Sequence, residues 1–173
     1  MLTDFHTHIF PDKIVDKTIK LLESNIKEEY RPHKAELRGT LDALKQSMRE
    51  NNVDISLVLP IATNVKQSTT INNFAASING IDGIYSLGSL HPMQSDWESV
   101  LYDIKEKGLK GIKLHPEYQQ FYIDSKESIQ ILKKCEELDL ITVLHSGKDI
   151  GIDPPVHCTP ERLSHVLDYV KGD

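Results

Sequence analysis

Asp4-Phe5-His6-Thr7-His8 is the stretch whose reading decides the fold. An extended chain repeats its side-chain direction every second residue, so His6 and His8 share one face. Their Cα atoms are expected roughly 6–7 Å apart, close enough for both imidazoles to reach one cation. Neutral imidazole nitrogen is the commonest side-chain metal ligand. Phe10 and Pro11 follow, and Pro11 breaks the extended run. The two histidines therefore stand at the C-terminal tip of a strand, where α/β proteins place their sites. Asp4 lies on the same face and is expected to orient a ligand histidine rather than bind metal itself.

Outward from that strand, the pattern repeats. Apolar residues at helical spacing (Ile14, Val15, Ile19, Leu22, Ile26) follow Pro11 and predict a helix. Residues 27–39 are polar, contain a proline, and read as a loop over the tip of the first strand, part of a lid. Thr40 is a fitting N-cap for a helix with Leu41, Leu44 and Met48 inward. Strands are expected at 54–60, 84–90, 110–115 and 140–145, with helices at 66–79, from 97 to Gly108, from about Ser125, and after Thr159-Pro160-Glu161. Five strand–helix units in succession imply a parallel sheet with right-handed crossovers. No Gly-x-Gly-x-x-Gly follows the first strand and no Walker loop occurs, so a nucleotide site is not supported.

Bulk properties narrow the function. The 173 residues make one domain, 1–173, with room for a real core. A net charge of −6 and the lack of a basic cluster argue against nucleic-acid or anionic-membrane partners. Apolar runs are too short to span a bilayer, and the N-terminus shows no charged and apolar leader, so a cytoplasmic location is expected. Cys135 and Cys158 form no motif and read as two unlinked thiols.

Five of the eight histidines close strands: His6 and His8 the first, His91 the third, His115 the fourth and His145 the fifth. A parallel arrangement brings all five to one rim. His145 follows Ile141 and Val143 at period two, and if that face is the sheet interior it completes a three-histidine metal site with His6 and His8. Lys113 inside a strand is unusual, because a buried ammonium needs a partner. It binds a substrate carboxylate, carries a modified amine that bridges metals, or pairs with an acid such as Asp4 or Glu117. His115 is open to reading as ligand, proton shuttle or substrate contact. His91 is expected to be structural or to stand behind the ligands. His33 is expected in a solvated loop, His157 in a loop with reach over the rim as the alternative, and His165 on the surface.

Together these residues form a familiar pattern. Asp-Phe-His-Thr-His resembles the opening signature of the amidohydrolase superfamily. Gly111-Ile-Lys-Leu-His-Pro116 and Leu144-His-Ser-Gly147 resemble its fourth- and fifth-strand endings, and the Pro154-Pro155 loop leading to Thr159-Pro160 resembles the amidohydrolase-related branch. The resemblance implies an α/β fold: a partial (β/α) TIM-like barrel, about five parallel βα units of the usual eight. It also implies a divalent metal at the C-terminal rim, most readily Zn²⁺, on His6, His8 and His145, with Lys113 and His115 holding a small-molecule substrate. Metal-dependent hydrolysis is expected first, non-oxidative decarboxylation is the alternative within the branch, and a catalytically incomplete fragment that binds metal weakly or only associates through its edges is the third reading. The family's sixth-strand histidine and eighth-strand aspartate have no counterpart here. The first and fifth strands are then left as open edges, an expected surface for self-association.

Overall fold

The computed structural model describes residues 1–30 and 34–171. The strands are β1 (Thr3–Thr7), β2 (Ile55–Val58), β3 (Ile84–Ser86), β4 (Gly111–Leu114) and β5 (Ile141–Leu144). They lie side by side in chain order: β1 pairs in parallel with β2, β2 with β3, and β4 with β5. The ladder crosses from β3 to β4 just past the end of β3. There the Gly88 N–H donates to the Gly111 carbonyl at 2.8 Å and the Lys113 N–H to the Gly88 carbonyl at 2.8 Å. Gly111 is required at this point, because a Cβ there would lie 2.0 Å from the Ile141 carbonyl oxygen of β5.

Helices α1 (Val15–Asn25), α2 (Leu41–Glu50), α3 (Ser68–Ile78), α4 (Trp97–Glu106), α5 (Pro116–Gln119), α6 (Lys126–Glu137) and α7 (Pro160–Leu167) fill the connections. Besides α5, three begin on side-chain caps that leave their marks in the sequence. Thr40 Oγ1 accepts from the Ala43 N–H, Ser125 Oγ from Ser128, and Thr159 Oγ1 from Arg162. Each cap satisfies an amide that the first helical turn leaves without a partner. α5 differs from expectation. The stretch after β4 was expected to be an aromatic loop but makes one helical turn, with His115 as its cap and Pro116 at its first position.

Burial follows position in the array. β4 is buried along its whole length, and the core of α4, α6 and α7 packs around it through Leu101, Ile104, Ile112, Leu114, Ile131 and Val166. A second cluster joins α2 to β2 and β3 through Leu44, Met48, Val58 and Ile84. The outer strands are open: Phe5 on β1 is 71% exposed and Ile141 on β5 is 62% exposed. Among the described residues β1 and β5 do not pair with each other, so no barrel closes. Among the described residues no helix is long and apolar enough to cross a membrane, and both cysteines are buried free thiols.

Candidate metal centre

The strand ends of β1, β4 and β5 gather their side chains at one rim. His6 Nε2 faces His8 Nε2 at 3.0 Å. Two nitrogens held about 2.0–2.1 Å from one tetrahedral Zn²⁺ would stand only slightly farther apart. His8 Nδ1 lies 2.8 Å from the Leu59 carbonyl, an acceptor, so the ring carries its proton on Nδ1 and turns the Nε2 lone pair to the rim. The orienting partner is thus a backbone carbonyl. Asp4, expected in that role, instead accepts the backbone N–H of His6 at 3.0 Å, where the β1 register shifts.

His145 stacks on His115 with ring centroids 3.9 Å apart. Asp149 Oδ2 stands 3.7 Å from His115 Nε2 and 3.9 Å from His145 Nε2. Among the described residues, His115, His145 and Asp149 are the group of three or more whose potential ligand atoms all lie within 4.8 Å of one another. The tautomers separate these histidines. His115 Nδ1 accepts the Tyr118 N–H at the α5 cap, so a neutral His115 carries its proton on Nε2, toward Asp149. It is built to donate. His145 Nε2 is buried with no hydrogen-bond partner, an orphaned polar atom of the kind a cation would satisfy.

Lys113 is fully buried between these groups, and its Nζ has no hydrogen-bond partner. Neither Asp4 nor Glu117 pairs with it. Burial pushes its pKa down to about 8. The histidines are likewise held neutral. Burial first, then the charge of His6, takes His8 to about 4 although part of the residue faces solvent. Burial, then His145 and Lys113, takes His115 to about 3. His6 and His145 shift down chiefly by burial, with Asp149 and Glu117 pulling His145 back up. The mutual influence of His6, His8, His115, His145 and Lys113 marks them as one cluster. Neutral imidazoles are the form a metal binds.

His91 does not join the cluster: its Nδ1 accepts the Met93 N–H at 3.2 Å. His165 is exposed as expected. His157 lies in a loop as expected but is buried there, with its Nδ1 2.6 Å from Glu117 Oε2. His33 lies outside the described residues. Asp149 was not singled out from sequence, and Glu117 was named only as an acid that could pair with Lys113, not as a partner of His157. Asp149 had a usable signal, an acid four residues after a strand-closing histidine. Beside Asp149 and Tyr118 opens a groove of about 370 Å³ with Ile19, Leu22, Ile26 and Ile150 in its walls.

No family model matches the sequence, and no curated protein is similar enough to count as a relative. Solved structures do match. An amidohydrolase II structure superposes with a TM-score of 0.64 at 17% identity, over 89% of this chain and 53% of that one. The chain has the fold of half an amidohydrolase-type barrel. A 5-carboxyvanillate decarboxylase from Novosphingobium aromaticivorans with bound manganese superposes at a TM-score of 0.60 and 15% identity, over 86% and 51% of the two chains. A 2,6-dihydroxybenzoate decarboxylase complexed with 2,6-dihydroxybenzoate gives 0.61 and 14%, over 97% and 55%. This chain thus spans about half the length of the amidohydrolase-type structures it matches.

Proposed function

We propose that the chain is the cation-binding half of a divalent-metal-dependent enzyme of the amidohydrolase type, acting on a small molecule by hydrolysis of a C–N or C–O bond. The observation that carries this reading is the His6–His8 pair, with Nε2 atoms 3.0 Å apart and His8 fixed by Leu59 so that its free lone pair faces the rim. His6, His8 and His145 would hold the ion. Zn²⁺ suits an imidazole-rich set, and the manganese of the decarboxylase neighbour shows that a similar fold accommodates another divalent ion. A bound divalent cation supplies acidified water and a polarised carbonyl.

The chain's own residues do the rest. Asp149 Oδ2 stands beside the two stacked imidazoles, 3.7 and 3.9 Å from their Nε2 atoms, and accepts the proton that a nucleophilic water gives up. His115 carries a proton on Nε2 and donates it to the leaving nitrogen or oxygen. Lys113 Nζ, with no acid beside it, favours a substrate that brings a carboxylate. The groove walled by Ile19, Leu22 and Ile150 takes the apolar part of that substrate and keeps water from it.

A second reading, non-oxidative decarboxylation, is favoured by the two decarboxylases among the similar structures. In it, His115 Nε2–H protonates the carbon from which CO₂ departs. A screen of amides and lactones beside aromatic carboxylates, with CO₂ recorded, separates the two. Chelator-sensitive cleavage without CO₂ supports hydrolysis, and chelator-sensitive CO₂ release supports the second reading. Turnover that is indifferent to chelator would remove both.

A further inference from the structure

Glu117 and His157 take no part in the chemistry above, yet they form one of the most enclosed ionisable pairs in the chain, 2% and 9% exposed. Glu117 sits on α5, one turn beyond β4. Its Oε1 accepts the backbone N–H of His157 at 2.7 Å, and its Oε2 lies 2.6 Å from His157 Nδ1. A carboxylate offers only acceptors, so the imidazole donates from Nδ1. We propose that Glu117 and His157 are positioning residues: a buried clasp that holds the segment from His145 to His157 against β4, so that His145 and Asp149 meet the cation. This rests on the metal reading above.

The path of the chain makes the clasp consequential. The segment starts where the His145 N–H donates to the Leu114 carbonyl at 3.0 Å. Its neck closes where the Gly147 N–H donates to the Cys158 carbonyl at 2.9 Å. Between them, Asp149 Oδ1 accepts the Gly151 N–H at 2.7 Å, which leaves Oδ2 directed at the two imidazoles. The Glu117 carboxylate fixes that neck to the end of β4, with a further bond from the Ile123 N–H to the His157 carbonyl at 3.2 Å. An apolar pair could close such a neck without the cost of burying a charge.

The test uses Co²⁺ binding to the whole chain, followed by visible absorption and calorimetry, with amide hydrogen exchange of residues 147–151 measured in parallel. Glu117→Gln turns an amide N–H toward one of the two donors, and His157→Leu removes the ring donor. Both are expected to weaken Co²⁺ binding by about tenfold or more, as losses behind a ligand do, and to speed the exchange. His157→Asn keeps a donor near the Nδ1 position and is expected to restore both properties. Asp124→Asn, which breaks the neighbouring Arg162 ion pair, is expected to leave Co²⁺ affinity unchanged. Equal affinity in wild type, Glu117→Gln and His157→Leu overturns the clasp while leaving the metal reading intact. Binding as weak in His157→Asn as in His157→Leu also overturns it, because packing and not the donor would then matter. A wild type that takes up no Co²⁺ removes the metal reading, and this inference with it.

Discussion

Replacing Lys113 by Met should stabilise the isolated chain at neutral pH. The amine is fully buried, has no hydrogen-bond partner, and is pushed by burial from 10.5 to about 8. Each pKa unit corresponds to about 1.4 kcal/mol, so holding the ammonium in the fold costs about 3 kcal/mol at most. Met fills a similar volume without a charge to desolvate, so we expect a gain of about 2–3 kcal/mol. The pH dependence identifies the cause. A lysine whose folded pKa is depressed binds fewer protons folded than unfolded between about 8 and 10.5, so wild-type stability rises with pH across that window. The advantage of Lys113→Met is therefore full below pH 8 and vanishes as pH approaches 10.5. Urea unfolding followed by the fluorescence of Trp97, which packs on the larger core cluster, reads both quantities. A variant less stable than wild type at pH 7, or a difference that does not change with pH, would refute the reasoning.

Other expectations follow from single contacts. Ser125→Ala removes the acceptor for the Ser128 N–H at the start of α6 and should cost about 1 kcal/mol in the same unfolding assay. Gly111→Ala drives a methyl into the Ile141 carbonyl and should cost about 3 kcal/mol or more, or prevent folding, as judged by circular dichroism. The open edges predict concentration-dependent association through β1 and β5. Sedimentation velocity should show it, Ile141→Lys should reduce it, and a wild type that stays monomeric at high concentration would count against it.

Much of the fold could be read from local signals. Thr40, Ser125 and Thr159 mark helix starts because a cap is a contact three residues long. Strand order followed from five strand–helix units, since short crossovers leave parallel neighbours little choice. The histidines at the ends of β1, β4 and β5 were equally legible, because a strand tip fixes where its last side chains go, whereas β3 stops at Ser86, five residues short of His91. What escaped depends on contacts far apart in sequence or on one atom's partner. Glu117 meets His157 across forty residues, which no periodicity encodes. The orienting group of His8 is the Leu59 carbonyl, and every residue has a carbonyl. α5 is a single turn, too short for an apolar stripe, although His115-Pro116 had the form of a cap followed by an N1 proline. Lys113 posed a real ambiguity, because no sequence pattern tells a paired buried amine from an unpaired one.

The metal content of the purified chain bears most directly on the account. Protein stripped with chelator, reloaded with Zn²⁺ or Mn²⁺ and desalted should retain about one ion per chain by elemental analysis, and the double variant His6→Ala/His8→Ala should retain none. No retained metal in the wild type, or equal retention by the double variant, would contradict the claim that the β1 histidines grip a cation.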